Sequence, residues 1–211
     1  QKPLIGFSGA PWTVAAYLIE GTITKDLAVV KEVAYKDKEL MEKIIDVLKD
    51  IIIEHLSFQI QSGVDLIQIF DTHSNVLDYN LLEKYSVGPI RKICKELKKR
   101  HPKTPISYFS KNTNYDLKDF FDHIDIISFS SAVRMKKYIN ILPKKIVFQG
   151  NLDPINLLVG GNQMVDEILI IMDDMKEKEF IFNLGHGILP KTPISNVIKC
   201  IDIVKNFKSL A

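Results

Sequence analysis

The chain has 211 residues, enough to bury the core of one domain. Its 46% hydrophobic and 26% charged residues are typical of a globular protein. A net charge of +2, with no dense stripe of basic residues, gives no indication of bulk nucleic-acid binding. No apolar stretch approaches the roughly 18 residues that a membrane span needs. Cys94 and Cys200 lie in stretches with helical apolar spacing, which indicates buried thiols rather than a disulfide framework or a metal site.

Six short apolar stretches, each ending in polar or glycine residues, are predicted to form buried strands. In chain order these stretches are 3–9, 65–73, 105–111, 125–131, 145–151 and 180–187. The apolar spacing becomes helical between them, so strands and helices are expected to alternate along the chain.

Four amphipathic helices are predicted from apolar residues spaced three or four apart. Their apolar stripes cover 40–52, 82–97, 164–175 and 194–204. Pro89 is expected to open a fresh turn in the second, and Thr192 to cap the last with Pro193 at the first helical position. Shorter helices are expected within 113–122 and 132–141.

Strands that alternate with helices predict a parallel α/β fold, either an open doubly wound sheet or a barrel. Neither G-x-G-x-x-G nor G-x-x-x-x-G-K follows the first strand, which disfavours the common nucleotide-binding sheets. Six β/α units are two short of a closed barrel, and an apolar stretch starts only two residues after Gln1. The sequence therefore predicts a (β/α)8 TIM barrel with about six of eight units present. Residues 1–211 would form a single barrel domain that is incomplete at its N-terminal side.

Candidate functional residues are expected beyond the carboxyl ends of the strands, where parallel α/β folds place their chemistry. The polar residues there are Ser8, Asp71, Thr72, His73, Ser110, Lys111, Ser128, Ser130, Ser131, Gln149, Asn151, Asp153, Asn183 and His186. Taken singly, each has an ordinary structural explanation, such as a helix cap at Asp153 or Thr72. His186 and Asp71 are candidates for an acid–base pair. Neither a His-x-Cys or Cys-x-x-Cys motif nor a G-x-S-x-G elbow is present, which disfavours a zinc–thiolate site and a hydrolase triad.

His186 stands between two glycines, in the stretch "FNLGHGILPKTP" (182–193). Gly185 and Gly187 either form only a tight turn or allow the backbone and the imidazole to approach a ligand closely. The local pattern is compatible with both.

Four motifs together resemble those of the uroporphyrinogen decarboxylase family: "PLIGFSGAPWTVAAYLIEG" (3–21), "IQIFDTH" (67–73), "IVFQGNLDP" (146–154) and "NLGHGILPKTP" (183–193). The likeness runs in order from Leu4 to about Asn206. It implies a TIM barrel and a carboxy-lyase of porphyrin and heme biosynthesis, which removes four acetate carboxyls of uroporphyrinogen III to give coproporphyrinogen III. It further implies a tetrapyrrole substrate, a homodimer, no metal or organic cofactor, and a cytoplasmic or plastid location.

The resemblance also assigns roles to five positions. Tyr17 and His186 are expected to be catalytic and to bind the substrate. Phe70, Thr72 and Lys111 are expected to bind the substrate as well. Thr72 keeps the hydroxyl of the serine that is usual there, Phe70 is the aromatic residue that faces the tetrapyrrole, and Lys111 could meet one of its carboxylates.

The chain departs from the family's pattern at two strand ends. Asp71-Thr72-His73 stands where relatives often have Glu-Ser-His, and Ser130-Ser131 stands where they often have Asp-Trp, which removes a carboxylate. The family's substrate-binding arginines and aspartate lie in N-terminal motifs, outside the matched stretch. A substrate with eight carboxylates needs cationic partners, whereas the three arginines here are expected in helices. The chain is therefore expected to be about the C-terminal three-fifths of the enzyme.

Two other functions stay open from the sequence. One is a corrinoid- or folate-linked methyltransferase of the same barrel superfamily, against which the missing His-x-Cys motif argues. The other is a non-catalytic, tetrapyrrole-binding paralogue.

Overall fold

The computed structural model describes residues 2–22, 24–111 and 120–207. The chain divides into two compact units, residues 1–125 (unit 1) and 126–211 (unit 2). Three strands belong to each unit, and helices alternate with them along the chain.

Unit 1 contains the first three strands. They are Ile5–Gly9 (β1), Leu66–Asp71 (β2) and Ile106–Ser110 (β3). The helices are Pro11–Glu20 (α1), Ala28–Lys36 (α2), Lys38–Gln61 (α3), Tyr79–Leu82 (α4) and Gly88–Arg100 (α5). β1 pairs in parallel with β2, and β2 in parallel with β3, so the first three predicted strands and their direction are confirmed.

Two of these helices, α1 and α2, were not predicted. Pro11 stands in the first turn of α1, where its missing N–H has no helical partner to lose. Trp12, Ala15 and Ala16 face the core and are fully buried. The 24-residue helix α3 was predicted, and the side chain of Asp37 caps its first turn by accepting a hydrogen bond from the Leu40 N–H at 3.0 Å.

The second predicted stripe, 82–97, folds as a helical run with an irregular centre. A single π-helical turn, Glu83–Val87, joins α4 to α5. Pro89 lies in the first turn of α5, which confirms the predicted fresh turn. A π-turn inserts one extra residue and thereby changes which side chains face the core.

Unit 2 contains the other three strands. They are Ile126–Phe129 (β4), Val147–Leu152 (β5) and Phe180–Leu184 (β6), and its helices are Pro154–Val159 (α6), Gly161–Asp174 (α7) and Ile194–Lys205 (α8). β4 pairs in parallel with β5, and β5 in parallel with β6. The Gly150–Asn151 peptide bond is cis.

The predicted start of the last helix is wrong by one residue. Pro193 precedes α8 with φ −63° and ψ 133°, an extended conformation, so it occupies the cap position itself. Thr192 therefore lies one residue too early to cap the helix, and its hydroxyl oxygen is buried with no hydrogen-bond partner in the part of the chain that the structure describes. Proline has no side-chain acceptor, so no side chain caps α8.

The two shorter predicted helices are reduced in the structure. Within 113–122, residues 113–119 lie outside the described residues, and Phe120–Asp122 form a single 3-10 turn. Within 132–141, only Met135–Tyr138 are helical, again as a 3-10 turn.

Both cysteines are buried, as predicted, and neither forms a disulfide. Cys94 is fully buried on α5, and desolvation raises the pKa of its thiol to about 12. Among the residues that the structure describes, no helix combines the length and hydropathy that a membrane crossing needs.

Candidate active site

The end of β2 presents two different faces, because successive side chains of a strand point to opposite sides. Phe70 is 37% exposed on one face. Its ring lies between those of Phe7 on β1, at 6.0 Å between centroids, and Phe109 on β3, at 5.9 Å. Both pairs meet edge to face. These three rings form an apolar shelf across the strands of unit 1, and Phe70 lies at its centre.

Asp71 is fully buried at the same strand end, one residue after Phe70 and on the opposite face. Its Oδ1 accepts a hydrogen bond from the Thr13 hydroxyl at 3.0 Å, and its Oδ2 accepts one from the Tyr108 hydroxyl at 3.3 Å and another from Ser86. The π-turn described above carries Ser86. Hydroxyls from three elements therefore converge on one carboxylate.

Burial raises the pKa of the Asp71 carboxyl above its usual range, because no water solvates the charged form. Hydrogen bonds from Ser86, Thr13, Ser74 and Tyr108 act in the opposite direction. Ser74 further binds the Asp71 carbonyl oxygen at 2.9 Å and the Ser110 hydroxyl at 2.8 Å, which links the ends of β2 and β3.

Thr72 follows Asp71 at the start of a turn and is half-buried. The next residue, His73, is bound to α1 in two places. Its backbone N–H donates to the Thr13 hydroxyl at 3.3 Å, and its carbonyl accepts from the Trp12 indole N–H at 3.0 Å. The turn that carries Thr72 is thereby fastened to the first turn of α1.

Tyr17 stands one helical turn after Thr13 on α1 and is 53% exposed. Its ring meets the His73 ring edge to face, at 5.3 Å between centroids and an angle of 68°. The structure thus connects the predicted residues Tyr17 and Thr72 through His73, at the same end of β2.

Lys111 comes directly after β3 and is half-buried. The residue before it, Ser110, is in register with Asp71, and Phe109 is in register with Phe70. Four of the five predicted site residues therefore follow or flank strand ends of unit 1.

The fifth, His186, belongs to unit 2 and is exposed in a bend two residues after β6. Gly185 continues the pairing with β5, since its N–H donates to the Leu152 carbonyl at 2.8 Å. A Cβ atom at Gly185 would lie 2.7 Å from Cα of Ser131 and would also overlap its backbone nitrogen. Only glycine allows these two backbones to pass so closely, whereas a Cβ at Gly187 would meet no described residue within 4 Å.

The segment after β4 is held by the buried amide of Asn151 on β5. The Asn151 Nδ2 donates to the carbonyls of Ser130 at 2.9 Å and of Val133 at 2.6 Å. Asp153 caps α6 by accepting a hydrogen bond from the Ile155 N–H at 2.7 Å, which confirms the helix cap predicted for it. The strand ends of unit 2 are therefore joined through the backbone of the 130–133 segment.

A cavity of about 370 Å³ opens beside this segment, between it and the helices α6 and α7. Asn151, Asp153, Arg134 and Asp174 line it, but His186 does not. Arg134 and Lys136 both bind Asp174, at 2.9 Å each. The cavity therefore does not coincide with the predicted site.

All three arginines are engaged by carboxylates of this chain. Arg91 binds Glu83 at 3.1 Å, and Arg100 binds both Glu54 and Glu96. Arg134, expected in a helix, instead has an extended backbone and precedes the 3-10 turn. In the described part of the chain, no group of three or more His, Cys, Asp or Glu residues could hold a metal ion.

Sequence reasoning missed the contacts that hold the site together. Thr13 and Trp12 lie in the "PWT" part of the first motif, and their pairing with residues 71–73 bridges about sixty positions. Ser86 was not singled out either. Thr13 and Trp12 have only their place in a motif as a sequence signal, and Ser86 has none, since a single hydroxyl carries no periodicity.

The fold itself defines a class of protein. The dihydropteroate synthase of Xanthomonas albilineans is similar to this chain with a TM-score of 0.58 at 10% identity, covering 97% of this chain and 66% of that one. The dihydropteroate synthase of Anaplasma phagocytophilum has a TM-score of 0.56 to this chain at 12% identity. The likeness covers 96% of this chain and 75% of that one. At such low identity the likeness concerns the fold alone. It is the α/β fold of the TIM-barrel class, as predicted.

Sequence comparison identifies the family. The model of the uroporphyrinogen decarboxylase (URO-D) family matches residues 1–207. The uroporphyrinogen decarboxylase of Rickettsia bellii is 38% identical over 94% of this chain and 59% of its own length. The uroporphyrinogen decarboxylase of Brucella canis is 36% identical over 99% of this chain and 62% of its own length. The chain belongs to the uroporphyrinogen decarboxylase family, as its motifs predicted, and spans about three-fifths of the length of these relatives.

Proposed function

We propose that the complete protein containing this chain is a uroporphyrinogen decarboxylase. It would remove the four acetate carboxyl groups of uroporphyrinogen III as CO2, leaving the four methyl groups of coproporphyrinogen III, without a metal or organic cofactor. The observation that carries the proposal is the family match over residues 1–207, in which the motif residues stand at strand ends. The match to this family does not favour the methyltransferase alternative.

The proposed reaction balances by protonation of the pyrrole ring. A proton on a ring carbon makes the ring an electron sink, so the bond to the carboxylate breaks and CO2 leaves with neither oxidation nor reduction. The exocyclic carbon then takes up a proton and the ring carbon loses one, which leaves a methyl group. Each acetate thus consumes one proton in total.

The shelf of Phe7, Phe70 and Phe109 supports a role for unit 1 in binding the pyrrole rings of a tetrapyrrole. An exposed phenylalanine ring offers an apolar surface on which a flat pyrrole ring can stack. In the proposal, the hydroxyls of Tyr17 and Thr72 donate hydrogen bonds to substrate carboxylates, and the ammonium group of Lys111 pairs with another. The cationic groups for the remaining carboxylates would come from elsewhere in the complete protein, since the three arginines here already bind carboxylates.

His186 is proposed as the second catalytic residue. An imidazole can both donate and accept a proton, which suits a reaction with repeated protonation steps. Its exposed position in a glycine-flanked bend leaves the ring accessible to a ligand.

The test is conversion of uroporphyrinogen III by the complete protein, with products separated by chromatography after oxidation to porphyrins. We expect His186→Asn to lower kcat by about 100-fold or more, the scale on which general acid–base catalysis contributes. His55→Asn, at an exposed histidine of α3, is the matched control and should leave kcat unchanged. Full activity of His186→Asn would remove the proposed role of His186, and a wild-type protein without conversion would refute the proposed function.

The oligomeric state and the compartment belong to the same proposal. We propose a homodimer, which sedimentation of the complete protein would test. The cytoplasm or a plastid is proposed as its compartment, which cell fractionation would test.

A further inference from the structure

One hydroxyl in unit 1 holds both neighbours of Thr72. Thr13 donates its O–H to Oδ1 of Asp71 at 3.0 Å and accepts the backbone N–H of His73 at 3.3 Å. Thr72 lies between these two residues in the chain. Thr13 therefore fixes the position of the Thr72 backbone from both sides, with a single side chain that is 4% exposed.

The same helix carries Tyr17. Residues four apart lie on one face of a helix, so Tyr17 stands one turn beyond Thr13 and about 6 Å along the axis. Its ring also contacts the His73 ring. The indole of Trp12 binds the His73 carbonyl and stacks on Tyr85, at 6.5 Å between ring centroids. Helix α1 is thus bound to His73, in the turn after β2, at three points: through Trp12, Thr13 and Tyr17.

Asp71 makes this connection rigid. Its carboxylate is fully buried, and hydroxyls of Ser86 and Tyr108 donate to it alongside Thr13. The carboxylate points to the opposite face of β2 from Phe70 and its aromatic shelf. The network therefore lies behind the proposed substrate surface.

From these contacts we infer that Thr13 is a positioning residue of the decarboxylase site, whose hydroxyl sets the distance between Tyr17 and Thr72. This inference rests on the proposed function for its effect on turnover. Thr13 acts through its two neighbours and is not a catalytic residue. Two substrate-binding hydroxyls on separate elements need such a connection, because small displacements of positioned groups reduce rates strongly.

A purely structural role for Thr13 has different consequences from a positioning role. Loss of stability alone would lower the amount of folded protein and leave the turnover of the folded fraction unchanged. Loss of positioning would lower kcat of fully folded protein, and it would do so through Tyr17. The experiment therefore measures kcat, KM and unfolding by urea in the complete protein, for each variant.

Thr13→Val is nearly isosteric and replaces the hydroxyl with a methyl group, which can neither donate nor accept a hydrogen bond. We expect it to lower kcat by about 10-fold with KM changed by less than about twofold, as for a displaced catalytic group. Thr13→Ser keeps the hydroxyl and should restore kcat to within about twofold of wild type. Ser57→Ala is the matched control, because Ser57 is also 4% exposed and its hydroxyl has no hydrogen-bond partner among the described residues. It should leave kcat unchanged.

A double-mutant cycle with Tyr17→Phe separates the two roles. If Thr13 acts through Tyr17, Thr13→Val should lower kcat by less than about threefold in the Tyr17→Phe background. An equal loss in both backgrounds would overturn the inference, as would wild-type turnover of Thr13→Val or failure of Thr13→Ser to restore it. If Thr13→Val does not fold, Thr13→Cys takes its place in the cycle, since a thiol fills the site but hydrogen bonds weakly.

A spectroscopic measurement makes the inference testable apart from turnover. With fluorotyrosine incorporated, the 19F signal of Tyr17, assigned through Tyr17→Phe, should shift in Thr13→Val and keep its wild-type position in Ser57→Ala. An unmoved signal in Thr13→Val would contradict the positional coupling. If wild type converts no uroporphyrinogen but the signal shifts, the proposed function fails while the coupling of Thr13 to Tyr17 stands.

Discussion

The two units hold their strand ends in different ways. In unit 1, side-chain hydrogen bonds hold the strand ends, because the hydroxyls of Thr13, Ser86 and Tyr108 all donate to the buried carboxylate of Asp71. In unit 2, the backbone takes a larger part, since Gly185 passes against the backbone of Ser131. The amide of Asn151 then binds the carbonyls of the same segment.

This difference determines which substitutions each unit tolerates. Removing polar atoms should disturb unit 1, because buried hydrogen-bonding groups would lose their partners. Adding atoms should disturb unit 2, because close backbone contacts leave no room. Gly150, like Gly185, lies where a side chain has no room, since a Cβ there would lie 2.9 Å from the Phe129 carbonyl oxygen. Its φ of +135° also favours glycine.

The largest effect is expected from one added methyl group in unit 2. Gly185→Ala places a Cβ against the Ser131 backbone, which cannot move aside as a flexible side chain could. We expect the free energy of unfolding to fall by about 3 kcal/mol, the upper part of the range for overpacking. Urea denaturation of the complete protein measures it.

Gly187→Ala is the matched control for this change. It adds the same methyl group two residues later, where the new Cβ has no atom of residues 2–22, 24–111 or 120–207 within 4 Å. Equal stability of the two variants would show that the contact with Ser131 does not constrain unit 2.

A smaller effect, with a characteristic pH dependence, is expected in unit 1. Asp71→Asn places an amide N–H among hydroxyl donors, and we expect a loss of about 2 kcal/mol from the unpaired groups. Since burial raises the pKa of Asp71 above 3.8, the folded state holds the proton more tightly than the unfolded state does. The protonated Asp71 side chain therefore contributes stability that is fully present below pH 3.8. This contribution is lost as the pH rises through the pKa of Asp71 in the folded state.

The measurement is a pH series of urea denaturation for both proteins. The unfolding free energy of wild type minus that of Asp71→Asn should decrease as the pH rises above 3.8, by at most about 1.4 kcal/mol per pH unit. An increase over that range would mean that hydrogen bonds outweigh desolvation at this carboxyl.

The smallest effect is expected where charges rather than packing hold a segment. Asp174→Asn weakens the contacts with Arg134 and Lys136, which attach the segment after β4 to α7. Both cations are more than half exposed, so solvent screens them, and we expect a loss of about 0.5 kcal/mol that shrinks at high salt.

Lys43→Met provides the reference for an ion pair without this anchoring role. Lys43 and Glu39 are both largely exposed on α3, and their pair should contribute about 0.3 kcal/mol or less. Denaturation at low and high salt compares the two variants. A larger loss from Lys43→Met would reverse the expected order.

The strands could be predicted from the sequence because each is a short apolar stretch with a sharp end. The stripes of α3 and α7 were equally clear, since their apolar residues repeat over two or more turns. Helix α1 is not predicted because it follows β1 after a single residue, and "GAPWT" indicates a family motif rather than a helix start. The order of parallel β/α units then followed from topology rules.

The placement of site residues at strand ends could be predicted, but the network behind them could not. Thr13 and Asp71 are 58 positions apart, and nothing in either local pattern indicates a contact. Ser86 reaches Asp71 from a π-turn, and an extra residue in a helix is not visible in a 3.6-residue period. Similarly, Thr192 and Pro193 have the composition of a helix start, yet the proline takes the cap position.

The burial of both native thiols has a practical consequence. A reagent that alkylates cysteine reacts with the thiolate, which is scarce at neutral pH when burial raises the pKa of Cys94 to about 12 and shifts that of Cys200 upward as well. The folded chain therefore has a low background in maleimide chemistry. Fluorescent or spin labels could be attached at one engineered cysteine in each unit, for example at Tyr79 and Lys191, without first replacing the natural ones.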